Sequence, residues 1–262
     1  MNTSVIVTTY KRPGALKKVL EGLRHQSVLP GEVIVADDGS GPDTGEMVHR
    51  LKNDSPYPLH HVWQEDKGFR AAEIRNKSIL ASQGDYIICL DGDCVPGKHF
   101  ISDHRKLAEQ GYFFQGKRIL VKRSLVPLFT HKEANSVAKL LWYALTNKIK
   151  NCHHIIRMTP FFSTTSTRLK GIKSCNMGFF RSDLFAVNGF NQDFVGWGRE
   201  DSELAVRLFR YGLKRKGHQF MAICFHLWHE EHNRDQLSIN DELLSKALKG
   251  NRYFCRNGLV NR

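Results

Sequence analysis

The order of the first 110 residues constrains this chain most: short apolar runs alternate with amphipathic stretches. Residues 4–9 (SVIVTT) form a β-branched run, the pattern of a strand buried on both faces. Pro13 opens a stretch in which Leu16, Val19, Leu20 and Leu23 fall at i, i+3, i+4 and i+7, one face of a helix. Residues 32–36 (EVIVA) read as a second strand, and Met47, Val48 and Leu51 mark a second helix. Residues 59–63 are a third strand, 70–82 a third helix and 85–90 (DYIICL) a fourth strand. Strands separated by helices of ~10–15 residues predict right-handed βαβ units and a mostly parallel sheet.

The second half has weaker signals. Residues 112–116 and 119–121 read as short strands. Ala134, Val137, Ala138, Leu141 and Leu145 make one helical stripe with Trp142 and Tyr143 beside it. Residues 151–173 show no period and read as a long basic loop, and 174–180 as a strand. Residues 201–211 read as a helix, 219–225 as the last strand, and the remainder as a polar helical tail.

In an open parallel sheet, ligands bind beyond the carboxyl ends of the strands. Three polar clusters fall at such ends: Thr8-Thr9-Tyr10, Asp37-Asp38-Gly39-Ser40 and Asp91-Gly92-Asp93. Each alone is also what a turn looks like, because Asp and Gly are turn formers. Three on one rim put several carboxylates together, and these repel unless something cationic sits among them. Hard divalent cations take oxygen ligands, and Mg²⁺ or Mn²⁺ is held by one or two carboxylates plus substrate phosphates. Such an ion would neutralise a diphosphate leaving group. No GxxxxGK[ST] loop is present, and no GxGxxG follows the first strand, so phosphate is not expected on a glycine cradle.

These residues carry a resemblance. The stretches SVIVTTYKRPGALKKVLEGLRHQS, VIVADDGSGPDT, GFRAAEIRNKSI, YIICLDGDCVPG and SCNMGFF…GFNQDFVGWGREDSELAVRL resemble family 2 glycosyltransferases of the GT-A fold. The last also resembles the C-terminal part of β-1,4-galactosyltransferases and of bacterial chondroitin-type polymerases. Together they cover about two thirds of the chain; the basic segment from about Leu120 to Arg168 matches no pattern. The resemblance implies an α/β, Rossmann-like GT-A domain: a mostly parallel central sheet with helices on both faces, plus a smaller C-terminal acceptor-side subregion. Residues 1–110 would be the nucleotide-sugar-binding half. Residues 111–262 would be the acceptor-binding and catalytic half, with a basic insertion at about 120–170.

The implied activity is inverting, metal-dependent transfer of a hexose or N-acetylhexosamine, most often from a UDP-sugar, with Mn²⁺ or Mg²⁺ as cofactor. Thr8, Tyr10 and Arg12 match positions lining the nucleotide pocket. Asp38 matches the position that accepts a hydrogen bond from the uracil ring, and Arg75 a residue near the nucleotide. Asp91 matches a nucleotide-side carboxylate and Asp93 the metal ligand. Asp201 matches the base, Glu200 would touch sugar hydroxyls, and Trp197 would form a stacking wall. An inverting transfer needs one carboxylate to take the acceptor proton and a cation for the leaving diphosphate, unlike the two flanking carboxylates of a glycosidase. On spacing alone, Glu200-Asp201 also reads as an acidic helix N-terminus favoured by the dipole.

A metal-binding histidine follows the last strand in the resembling enzymes. His226 aligns if CFH is the match and His229 if WHEE is; the downstream Asn-Arg-Asp spacing favours His229. The same cluster ends at His232 and lacks the HExxH form of zinc proteases.

Charge bears on the partner. Of the formal +13, residues 110–182 supply most, with thirteen bases against one acid, Glu133. A concentrated positive field points to an anionic partner: a phosphorylated substrate, an anionic lipid surface or nucleic acid. With the family resemblance, the expected partner is a lipid-linked or phosphorylated glycan acceptor, with an anionic membrane surface. The competing reading is a solvated basic face. The stripe on Val137, Leu141 and Leu145 would then be core rather than interfacial. Two other functions compete. A sugar-nucleotidyltransferase would want a Gly-rich, Lys-bearing loop where TTYKRPGA stands. A nucleic-acid-binding protein would want a recognisable module, and none is present, so no nucleic acid is expected. No apolar run approaches the ~20 residues of a membrane span, the first residues lack a signal-peptide pattern, and the six cysteines form no CxxC pair. The expectation is a cytoplasmic enzyme, peripheral on the inner membrane face, that extends lipopolysaccharide core, capsule or a similar bacterial surface glycan.

Overall fold

The computed structural model describes residues 1–230 and 233–260. The first half runs β1 (Thr3–Thr9), α1 (Pro13–Arg24), β2 (Glu32–Asp37), α2 (Pro42–Asn53), β3 (Leu59–Trp63), α3 (Ala71–Ala81) and β4 (Tyr86–Asp91). It continues through β5 (Cys94–Pro96), α4 (Phe100–Leu107), β6 (Tyr112–Gln115) and β7 (Lys117–Val121). Then come α5 (His131–Ala134), α6 (Val137–Leu145), β8 (Ile149–Lys150), β9 (Ser163–Ser166), β10 (Asn176–Phe180) and α7 (Arg181–Ala186). The chain closes with α8 (Glu200–Arg210), β11 (Lys214–His218), β12 (Ile223–Leu227) and α9 (Leu237–Lys249).

Eight strands form the central sheet in the order β3-β2-β1-β4-β10-β6-β11-β9. β3, β2, β1 and β4 are mutually parallel, with Val5 opposite Val33 and Ile88. β10 runs antiparallel between β4 and β6, β11 is parallel to β6, and β9 is antiparallel to β11. A second sheet, β5-β12-β7-β8, stands apart. Alternation along the central strands divides the core. Val5, Val7, Ile88 and Leu90 pack with Leu16, Leu20 and Val48 of α1 and α2, and with Ile119 and Phe225 of the second sheet. Ile6, Ile87 and Cys89 pack with Ile74 and Ile79 of α3 and with Leu204 and Leu208 of α8. Strands with both faces covered need apolar residues at every position, which is why their sequences do not alternate. Each such side chain contributes about 1.5–3 kcal/mol on burial.

Four expectations change. The strand expected at 219–225 is β12, which begins only at Ile223 and runs to Leu227, and a strand not expected, β11, precedes it across a turn in which Ala222 has φ 54°. β11 (KRKGH) lacks an apolar signature because it is held through its backbone between β6 and β9. The stripe 134–145 breaks into α5 and α6: Thr130 and Glu133 close a capping box on α5, and the Ser136 side chain accepts from the Lys139 N–H to start α6. Residues 151–173 are not one loop but carry two single 3₁₀ turns and β9. The strand at 174–180 begins only at Asn176.

Candidate active site

The site lies where β1, β2 and β4 end, with α8 and the end of β12 facing them. Gly92 makes the first close approach: its N–H donates to the Thr8 carbonyl at 2.7 Å, and a Cβ there would stand 2.9 Å from that oxygen. The absent side chain lets the β4 turn lie against β1, with Asp91 and Asp93 on either side of the contact with Thr8.

Arg75 is the hub. It is 3% exposed, and its guanidinium donates to Thr8 Oγ1 (3.2 Å), Glu200 Oε1 (3.0 Å) and Asp91 Oδ1 (3.4 Å). One buried cation from α3 thus joins residues of β1, β4 and α8. Glu200 and Asp91 hold it charged despite its burial. Asp38 is buried too, one oxygen accepting from Gln64 Nε2 (2.6 Å) and the other from the Arg70 N–H (2.7 Å). Desolvation raises its pKa, opposed by those two hydrogen bonds. Tyr10 lies in the turn after β1, its hydroxyl donating to Asp66 Oδ2 at 3.1 Å.

Asp93 is surrounded by nitrogen. Arg12 Nη1 lies 2.7 Å from Oδ2, His229 Nε2 3.3 Å from Oδ2 and His226 Nε2 3.7 Å from Oδ1. The histidines reach it by different routes. His226 is on β12 opposite Cys94, and His229 lies just beyond the strand, whose Leu227 N–H donates to the Asp93 carbonyl. Their rings are 5.2 Å apart, so the pair meets at a strand end and not on a helical turn. The Nδ1 of His229 lies 2.6 Å from the Glu230 carbonyl, and its Nε2 faces Asp93. Burial, and then the Arg118 charge, push the His226 pKa down to about 3, so its ring is neutral. Among the described residues the ligand atoms of Asp93, Cys94 and His226 lie within 4.8 Å of one another, and His229 approaches the other Asp93 oxygen. Carboxylate with imidazole suits a divalent ion, Mn²⁺ better than Mg²⁺ because of the nitrogen donors. His232 lies outside the described residues.

Across Arg75, α8 begins with Glu200 and Asp201. The chain enters it through Gly196, Gly198 and Arg199, all at positive φ (79°, 102° and 80°). Trp197 sits between those two glycines, exposed, with the Arg234 guanidinium 4.9 Å over its ring. Asp201 Oδ2 accepts from the Ser174 N–H (3.2 Å) and Oδ1 from the Ser202 N–H (2.6 Å). Desolvation, then the Glu200 charge, push its pKa up to about 7, against Arg75 and the two N–H donors.

The structure therefore brings Thr8, Arg12, Arg75, Asp91, Asp93, Glu200, His226 and His229 into one connected group, with Asp201 adjoining Glu200. Asp38 and Tyr10 lie farther along the β1–β2 rim, in separate hydrogen-bond sets. Sequence reading missed Gln64 and Arg70, which hold Asp38, and Ser174, which holds Asp201. It also missed Arg118, a largely buried cation beside Asp91 whose Nη1 touches Cys175 Sγ at 3.5 Å. Only Arg118 left a trace: strand alternation puts it on the face opposite buried Ile119.

The model of glycosyl transferase family 2 matches residues 4–169, and that of the N-terminal domain of galactosyltransferase matches residues 157–230. The chain is 27% identical over 80% of its length to a chondroitin synthase of Escherichia coli and 29% to a hyaluronan synthase of Pasteurella multocida. It is 28% identical, again over 80%, to a validoxylamine A glucosyltransferase of Streptomyces hygroscopicus subsp. limoneus. It spans 32%, 23% and 48% of those relatives' lengths. Among solved structures, S. aureus TarS 1-349 in complex with UDP-GlcNAc superposes with a TM-score of 0.66 at 16% identity, covering 95% of this chain and 66% of that one. The mannosyltransferase PcManGT from Pyrobaculum calidifontis, in complex with GDP-Man and Mn2+, gives 0.60 at 20% identity, covering 95% and 64%. These are GT-A glycosyltransferases, and the shared fold is the one described above. With the fold, the rim of carboxylates and a family match across residues 4–169, this chain belongs to glycosyl transferase family 2.

Proposed function

We propose that the chain is an inverting, metal-dependent glycosyltransferase that moves a hexose or N-acetylhexosamine from a UDP-sugar to a hydroxyl of a bacterial surface glycan. The observation that carries this reading is the contrast between two carboxylates, Asp93 and Asp201, whose neighbours Asp91 and Glu200 share Arg75. Asp93 lies among a guanidinium and two imidazoles, whereas Asp201 lies beside another carboxylate with a pKa near 7. A group poised near neutral pH is suited to take a proton in the transition state.

In this mechanism Asp201 accepts the acceptor hydroxyl proton as the oxygen attacks the anomeric carbon. Its two N–H donors fix the carboxylate's direction, and Glu200, anchored on Arg75, faces the sugar hydroxyls. Trp197 walls the sugar. Asp38, Thr8, Tyr10 and Arg75 line the nucleotide side with Asp91. Asp93, His226 and His229 would hold Mn²⁺ or Mg²⁺, which when bound supplies positive charge for the leaving diphosphate. Mn²⁺ in PcManGT and UDP-GlcNAc in TarS support the cofactor and donor classes. The excess of bases in residues 110–182 supports an anionic acceptor, a lipid-linked or phosphorylated glycan such as lipopolysaccharide core or capsule, met at the membrane face.

The test is a hydrolysis screen of the purified protein against UDP-, GDP- and ADP-sugars with and without Mn²⁺. Slow, Mn²⁺-dependent release of UDP is expected. Turnover of only GDP- or ADP-sugars would overturn the donor assignment, and turnover equal with and without Mn²⁺ the metal assignment.

A further inference from the structure

Helix α6 is unusual for a helix of mean apolar character, because it buries only Leu140. Tyr143 and Ala144 lean on the core beside Leu140. The opposite side presents Val137, Leu141 and Leu145 at i, i+4 and i+8, with Trp142 alongside; these are 60%, 51%, 83% and 60% exposed. Four large apolar side chains on one outward face are not explained by core packing, which the inner face already supplies. Contiguous apolar surface rimmed by charge marks an interaction site.

The rim is basic. α6 packs on α5 and β8. These elements and the link into β8 bring Lys132, Lys148 and Lys150, none of which is in an ion pair among the described residues. The segment's one acid, Glu133, is already engaged by Lys139 and by the Thr130 cap. Tryptophan and leucine on one side of a short helix, with Lys132, Lys148 and Lys150 left over after Glu133 has paired with Lys139, match the chemistry of an anionic lipid interface. Among the described residues no helix is long and apolar enough to cross a membrane.

The surface is also tied to the active site. β8 pairs with β7, and β7 with β12, the strand that carries His226. Arg123, two residues past β7, stacks over Trp228 at 4.7 Å, next to His229. We infer that the outer face of α6 with its lysine rim docks the enzyme on an anionic phospholipid bilayer and so sets the catalytic cleft beside a membrane-borne acceptor. The docking half stands on α6 itself; the second half rests on the acceptor reading proposed above.

The experiment is co-sedimentation with vesicles of phosphatidylcholine alone and of phosphatidylcholine with phosphatidylglycerol, at low and high salt. Binding is expected to the anionic vesicles at low salt and to fall at least tenfold at high salt, since each base near such a surface is worth about a fivefold gain. The Leu141→Glu/Leu145→Glu protein, altered only at exposed positions, should lose at least tenfold in binding while keeping wild-type UDP-sugar hydrolysis. Trp142 fluorescence should shift to the blue on vesicles, and the shift should shrink in Trp142→Phe. Equal, negligible binding to both vesicle types would overturn the docking proposal, as would wild-type binding by the double variant. A dimer in solution that the double variant converts to monomer would assign the face to a second copy instead. Failure of UDP-sugar hydrolysis with intact vesicle binding would overturn the catalytic reading and leave the docking one standing.

Discussion

Two acidic patches, the end of β4 and the start of α8, use the same residue types with different partners: burial raises the pKa of Asp91 in the first and of Asp201 in the second, and only the first adds imidazoles and a second guanidinium. At the end of β4, Asp93 has Arg12, His226 and His229 around it, and Asp91 touches Arg75. At the start of α8, Glu200 takes the Arg75 cation, and Asp201 is left with two backbone N–H donors, the Ser202 hydroxyl and a like charge beside it. The first patch attracts positive charge. The second holds a carboxyl whose pKa is raised to about 7, so it exchanges protons where a transferase works. The difference arises from which cations the fold sends to each carboxylate.

If that contrast is right, the largest effect belongs to Asp201→Asn. Transfer should fall by a factor on the order of 10²–10⁴, the usual range for losing a general base, with UDP affinity retained. Normal transfer rates in this variant would remove Asp201 from the role of base.

Arg75→Met should cost about 3–5 kcal/mol of stability, because it strands Asp91 and Glu200 in a buried site without their cation. Urea unfolding measures this. A variant as stable as the parent would mean the two patches are not coupled through Arg75.

The histidines sharpen the first patch. His229→Ala and His226→Ala are each expected to weaken Mn²⁺-supported UDP binding, by roughly the 10–100-fold typical of losing a supporting contact at a metal site or more. If neither changed it, the nitrogen donor would come from elsewhere.

The smallest effect is on pH. Because the Asp201 pKa is raised above its unfolded value, the folded state binds the extra proton between about pH 4 and pH 7. This group's contribution therefore favours folding at the acid end of that window and is lost as pH rises through about 7. Activity moves the opposite way: transfer should fall about tenfold per unit below pH 7, and the limb should vanish in Asp201→Asn.

The contrast also explains what the sequence showed. β1, β2 and β4 were legible because a strand covered on both faces must be apolar throughout, and the site carboxylates sit where those runs stop. β11 was hidden because Lys214–His218 is placed by backbone pairing and carries no apolar pattern. The break between α5 and α6 had a readable mark, the Thr130-x-x-Glu133 box. The single stripe masked it, because Ala134, Val137 and Ala138 keep the i, i+3, i+4 spacing of one helix across the break. Asp201 was singled out by the family resemblance, with Trp197 and Gly198 in front of it as support. The Ser174 N–H that orients it left no signal, since a backbone donor carries no residue type. The partners of Asp38, Gln64 and Arg70, were likewise unreadable, brought in only by the β3–α3 turn.

The most direct test of the division between the two patches is UDP binding, followed by calorimetry with and without Mn²⁺, for the parent, Asp93→Ala and Asp201→Asn. The account predicts that Asp93→Ala loses the Mn²⁺-dependent part of the affinity and that Asp201→Asn keeps it. Retained Mn²⁺ dependence in Asp93→Ala, or its loss in Asp201→Asn, would contradict the account.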